Sequence, residues 1–113
     1  MAARLRFGLF ELDRGARQLH KDGQRVRLQD QPFRVLEILL EKPGTLVTRQ
    51  ELRRRLWPTD INVEFEVGLN AAIKRLRLAL GDSASHPRFI ETVPKRGYCF
   101  IASVQYGDAT TEP

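Results

Sequence analysis

Residues 6–12, Arg-Phe-Gly-Leu-Phe-Glu-Leu, form one run of strand-forming side chains, and Arg14-Gly15-Ala16 supplies the turn that ends it. Two shorter runs, 17–21 and 24–28, flank Asp22-Gly23, a pair that accepts the positive φ of a tight two-residue hairpin. Val26 and Leu28 alternate with Arg25 and Arg27, so this small antiparallel sheet has one apolar and one wet face. The apolar face needs a cover. That cover starts at Asp30-Gln31-Pro32, where a proline in the first turn forfeits no intrahelical bond, and continues from Phe33 to Leu40. Apolar groups lie almost all round this helix, which marks it as buried, and Pro43-Gly44 closes it.

Thr45-Leu46-Val47 is long enough only for a bridging strand. Thr48-Arg49-Gln50-Glu51 has capping-box spacing and starts a second helix that turns Leu52 and Leu56 inward and Arg53, Arg54 and Arg55 largely outward, ending at Trp57-Pro58. Beyond a 59–64 loop, a third helix is predicted from about residue 65 to residue 80, stopped by Gly81. At about 100° per residue, Phe65, Leu69, Ile73, Leu76 and Leu80 share one stripe. Val67, Ala71, Lys74, Arg75 and Leu78 lie opposite it, with Asn70 and Arg77 on the flanks. After a polar 82–88 loop, runs 89–93 and 98–102 read as a hairpin around Pro94-Lys95-Arg96-Gly97. Residues 103–113 lack periodicity and have the composition of a linker or tail, leaving 1–102 as the domain.

Composition narrows what such a chain does. Its 113 residues suit one domain that folds without disulfides or metal, which excludes a two-domain enzyme. Lysine and arginine number 19 against 14 acidic residues, a net +5 that favours polyanions. Lys21, Lys42, Lys74 and Lys95 are the only lysines, and the dominant arginine fork matches phosphate and guanine edges well. Cys99 stands alone and reads as a buried structural thiol, consistent with a reducing compartment. The chain carries neither the run of roughly 18 apolar residues of a membrane span nor the apolar core of a signal peptide, so a cytoplasmic location is expected.

Strands, buried helix, bridging strand, capped helix, a helix with a basic outer face and a hairpin with a basic tip together describe a helix-turn-helix with a wing. Small outer residues let the third helix approach base edges: Val67 or Ala71 can touch thymine methyls, while Asn70, Lys74 and Arg75 can donate to base or phosphate acceptors.

The ordered set of Leu28 to Leu40, Pro43-Gly44, Glu51-Leu52, Leu56-Trp57, Leu76-Arg77, Leu80-Gly81, Phe89-Ile90-Glu91-Thr92-Val93 and Gly97-Tyr98-Cys99-Phe100 resembles the OmpR/PhoB-type winged-helix domain of bacterial transcription regulators. The resemblance implies an α+β fold: an N-terminal four-stranded antiparallel sheet, a three-helix core and a C-terminal β-hairpin wing. It implies sequence-specific binding of double-stranded DNA, with the third helix in the major groove and the wing in the adjacent minor groove. Lys74, Arg75 and Arg77 match the basic run of the family's recognition helix, Trp57 the tryptophan that meets the DNA backbone, and Thr92 and Tyr98 the wing-stem residues that contact phosphate. The wing reads Val-Pro-Lys-Arg-Gly-Tyr where the family often has Val-Arg-Gly-x-Gly-Tyr, which makes Arg96, with Lys95 beside it, the minor-groove cation. Asn70 and Ala72 stand where the outer helix face often carries Asp and His, so the target sequence is not inherited. Met1 lies too close to the first strand for a preceding receiver, and the order looks more like the ToxR/CadC-like branch, with a linker leading to a membrane or sensor segment; a free-standing regulator is the alternative.

The resemblance further implies a monomer that pairs in tandem on DNA, and the 59–64 loop is a candidate contact for RNA polymerase. No catalytic or metal motif is present and no cofactor is expected: His20, in a strand-edge context, and His86, before Pro87, read as surface histidines. Two rival readings fit the residues less well. A protein-docking winged helix would carry an apolar outer face rather than Lys74, Arg75 and Arg96, and an RNA binder would expose aromatics for stacking.

Overall fold

A computed structural model describes residues 4–57 and 65–107. The expected single strand over 6–12 is two strands, β1 (Arg4–Phe7) and β2 (Phe10–Asp13), which pair antiparallel with Phe7 opposite Phe10. Gly8 is the reason. At φ +58 it takes the left-handed turn that reverses the chain, and a Cβ there would meet the Phe89 ring at 3.3 Å. β3 (Gln18–Lys21) and β4 (Gln24–Val26) complete the four expected strands, joined through Asp22 at φ 52 and Gly23 at φ 86 as the dipeptide predicts. His20 therefore lies in β3, between β2 and β4, and not at a sheet edge.

A fifth strand, β8 (Gln105–Gly107), pairs with β1 and corrects the expected tail boundary at residue 103; residues 108–113 lie outside the described residues. A three-residue strand is too short to show alternation. It is held by β1 and by a single cross-strand row, Tyr106, Leu5, Leu12, Leu19 and Val26, that runs over one face of the whole sheet. Helix α1 (Asp30–Glu41) covers that face, with Leu40 and Glu37 lining a common groove with Leu5, Leu12 and Tyr106.

α1 buries Phe33, Val35, Leu36, Ile38, Leu39 and Leu40, and so packs on more than one side, as its nearly uniform apolar surface requires. β5 (Leu46–Thr48) leads into α2 (Arg49–Leu56), whose first turn is capped by the Thr48 hydroxyl accepting from the Glu51 N–H at 3.0 Å. Arg55 reaches back from α2 to hold Glu41 in two bonds of 2.6 Å, and Arg34 donates to the Arg55 carbonyl at 3.1 Å. α3 (Phe65–Leu80) buries Leu69, Ala72, Ile73, Leu76 and Leu80. Each fully buried leucine there is worth about 1.5–3 kcal/mol. Phe65, expected on this stripe, is only half-buried, whereas Ala72 faces the core and not the outside.

The wing strands β6 (Ile90–Val93) and β7 (Gly97–Phe100) are each shorter than expected, with Phe89, Ile101 and Ala102 outside them. They form a second sheet ordered β5-β7-β6. Gly97 allows this sheet to close: a Cβ on it would lie 2.0 Å from the Val47 carbonyl oxygen. Phe7 joins the two sheets, with its ring centroid 5.1 Å from Phe100 and 5.8 Å from Phe89, both edge-on.

Candidate nucleic-acid interface

Docking the leucine stripe of α3 on the core turns the opposite face outward. Val67 is 62% and Leu78 72% exposed, Asn70, Lys74 and Arg75 are exposed, and Ala71 is half-buried between them. The wing stem meets this face at Thr92 and Tyr98, and the wing tip lies by the first turn of α3 at Phe65 and Glu66. Lys95 turns the chain at φ 65, and Lys95 and Arg96 are both exposed. Lys74, Arg75, Lys95, Arg96 and Arg54 make no ion pair or side-chain hydrogen bond with the described residues, so their charge is available to an external anion.

Two grooves divide this surface. One, of about 440 Å³, runs between α3 and the wing stem and brings together Asn70, Lys74, Arg77, Leu78, Thr92 and Tyr98. The other joins the start of α2 to the wing tip through Thr48, Arg49, Arg53, Glu66, Lys95 and Arg96. The first groove brings together five of the predicted residues, Asn70, Lys74, Arg77, Thr92 and Tyr98, and the second Lys95 and Arg96, whereas Trp57, Val67, Ala71 and Arg75 line neither; they are not in equivalent states. Arg77 is half-buried and donates to the wing. The Tyr98 ring is buried at 4% exposure, and its hydroxyl accepts from Arg49 Nη1 at 3.1 Å. Trp57 ends α2 and stands edge-on to Phe65 with centroids 5.4 Å apart; its ring would lie 3.1 Å from a Cβ at Gly68. Gly68 thereby admits the indole between the end of α2 and the first turns of α3.

Arg49 is the residue that sequence patterning missed. It read only as part of a capping box, yet its guanidinium also pairs with Glu66 and lies 5.9 Å over the Tyr98 ring, while its backbone N–H donates to the Arg96 carbonyl at 3.0 Å. Its partners are 17 and 49 positions away, a separation that no local pattern signals.

Asp82, just past α3, accepts backbone N–H bonds from Arg88, Phe89 and Ile90 at 2.7, 3.1 and 2.9 Å. Burial raises its pKa, but these donors together with Ser83 outweigh burial and hold the carboxyl below its ordinary value. Cys99 is buried, as expected, and burial pushes its thiol up, away from the reactive thiolate. His86 is exposed beside Ser85, and His20 is half-buried. Among the described residues no helix is long and apolar enough to cross a membrane.

The family described as "Transcriptional regulatory protein, C terminal" matches residues 23–100. The chain is 40% identical over 80 residues to the cholera toxin homolog transcriptional activator of Vibrio parahaemolyticus, covering 71% of this chain and 27% of that protein. It is 39% identical over 94 residues to the phosphate regulon transcriptional regulatory protein PhoB of Rhizobium meliloti, covering 83% of this chain and 40% of that one. It therefore spans well under half the length of these curated relatives. Among solved structures, the DNA-binding domain of Klebsiella pneumoniae RstA in complex with the RstA box superimposes with a TM-score of 0.75 at 30% identity, covering 87% of this chain and 96% of that one. The DNA-binding domain of Escherichia coli CadC gives a TM-score of 0.75 at 27% identity, covering 92% and 96%. With the match running from the β3–β4 turn to the end of the wing, and the winged-helix architecture in place, the chain belongs to the transcriptional regulatory protein C-terminal family, the OmpR/PhoB-type domains.

Proposed function

We propose that this domain binds double-stranded DNA with sequence preference as the DNA-reading part of a bacterial transcription regulator, α3 entering the major groove and the wing the adjacent minor groove. One observation carries the reading: the α3 cations Lys74 and Arg75 and the wing-tip cations Lys95 and Arg96 are all exposed and are left without counter-charges among the described residues. On this reading Asn70, Lys74 and Arg75 read base edges or phosphates, and Val67 and Ala71 pack on thymine methyls. Thr92 and Tyr98 each accept a hydrogen bond from an arginine and so keep their own hydroxyl hydrogens to donate to phosphate. The Trp57 indole N–H serves the DNA backbone in the same way. The relatives' names support the reading, since RstA is crystallised with its box and CadC is described as a DNA-binding domain.

The domain acts in the cytoplasm, where the DNA is, as a binding module and not an enzyme. Residues 59–64, the candidate contact for RNA polymerase, lie outside the described residues.

Binding labelled duplexes across a salt series tests the proposal. With about four to six phosphates neutralised, log K falls with log salt at a slope of roughly −4 to −5. A salt-independent affinity, or single-stranded RNA bound more tightly than duplex, overturns it.

A further inference from the structure

We infer that Arg77 is a positioning residue that sets the wing against α3, and not a reader of DNA bases. This inference rests on the DNA-binding reading above and assigns a different duty to one of the cations that sequence patterning counted among the readers.

The two hydrogens of Arg77 Nη2 are both used: it donates to the Ile90 carbonyl and to Thr92 Oγ1, each at 2.8 Å. Its Nε is sealed from solvent without a hydrogen-bond partner. A guanidinium carries five N–H groups, and its paired recognition of guanine or phosphate uses two of them side by side, either Nη1 with Nη2 or Nε with Nη2. Both arrangements need Nη2. Arg77 therefore cannot make a paired bidentate contact to DNA without giving up the wing, and only the two N–H groups of Nη1 are left over.

What Arg77 holds needs holding. In the order β5-β7-β6, β6 is an edge strand, attached through the sheet on one side only. Away from β7 it is gripped twice: Asp82, just past α3, takes the N–H groups of Arg88 and Phe89, which lead into the strand, and of Ile90, and Arg77 in the last turn of α3 takes the Ile90 carbonyl and the Thr92 hydroxyl. Arg77 follows Lys74 and Arg75 on the same helix, and the strand it grips leads into Lys95 and Arg96. The clamp fixes the distance and angle between the two reading elements before DNA arrives, so the wing binds preorganised.

Arg77→Lys keeps the charge, which suffices for a phosphate contact, and removes the fork, which the clamp requires. Arg77→Gln serves as the second variant. In the free domain, Arg77→Lys should speed amide hydrogen exchange in β6 while exchange in α1 stays at the wild-type rate, which separates wing release from general destabilisation. On a duplex with an A/T-rich flank, affinity should fall about 10- to 100-fold, the size expected for losing hydrogen bonds to a charged group, with the salt slope shallower by the same amount as in Arg96→Ala. Arg96→Ala should then cost little further in the Arg77→Lys background, because a wing already released no longer delivers its cation. Unchanged exchange in β6, or Arg77→Lys and Arg96→Ala losses that multiply as independent factors, would overturn the inference. If the wild-type domain binds no duplex, the DNA-binding reading falls, and the exchange measurement still decides the clamp.

Discussion

Arg49 donates to the Tyr98 hydroxyl at 3.1 Å, tying the first turn of α2 to the inner strand of the wing sheet. The same guanidinium pairs with Glu66 in the first turn of α3, so one side chain links three elements around the base of the candidate interface. Tyr98→Phe removes the acceptor and leaves the buried ring, and should lower unfolding free energy by about 0.5–1.5 kcal/mol in urea with an unchanged m-value. Arg49→Met should cost at least as much, because Glu66 also loses its partner. If both variants unfold at the wild-type midpoint, the link is no stronger than the water that replaces it.

Asp82 predicts how the wing responds to acid. Its folded pKa is depressed below the ordinary aspartate value of 3.8, so its contribution to stability is complete above that value and disappears as pH falls through the folded pKa. Asp82→Asn should therefore flatten the loss of stability below about pH 4 and, at pH 7, cost about 1–3 kcal/mol by leaving backbone donors poorly satisfied. Urea midpoints measured from pH 7 to pH 3 check both effects. An acid limb as steep in the variant as in the wild type would show that other carboxylates govern it.

Local chemistry made much of this fold legible from the chain alone. Asp22-Gly23 specified its hairpin, Thr48 its cap, Gly81 the end of α3, and the spacing of Leu69, Ile73, Leu76 and Leu80 the face that docks. Failures came where a long-range contact decides. Gly8 splits a strand because Phe7 and Phe10 must pair and pack under Phe89, and residues 105–107 become a strand only because β1 offers an open edge. The interface followed the same division. Exposure of Lys74, Arg75, Lys95 and Arg96 follows from helical periodicity and a turn signal. The capture of Arg77 by β6 and of Arg49 by Tyr98 depends on how α3 and the wing meet, which no periodicity encodes.

Occupancy of paired sites should depend on spacing. A single winged domain buries limited surface on DNA, and we expect the free domain to be monomeric and to gain affinity from two half-sites about 10 to 11 base pairs apart, on one side of the duplex. Moving the half-sites by about half a helical turn, roughly 5 base pairs, should abolish the gain. Sedimentation of the free domain at micromolar concentration supplies the control, and a stable dimer without DNA would count against tandem assembly.

Helix and wing should separate as readers, since Arg75 is exposed on α3 whereas Arg96 is exposed at the tip of the β6–β7 hairpin. Arg75→Ala takes away a candidate base contact and should cost about 1–3 kcal/mol on the preferred duplex and little on random DNA, collapsing the preference. Arg96→Ala removes a cation drawn to the strong negative potential of a narrow minor groove, so its loss should be greatest beside an A/T-rich flank, with base preference in the major groove intact. Both variants are measured on preferred, flank-changed and random duplexes at one salt concentration. Equal losses on all three for both variants would reduce the two side chains to general phosphate contacts and remove the distinction between reading helix and reading wing.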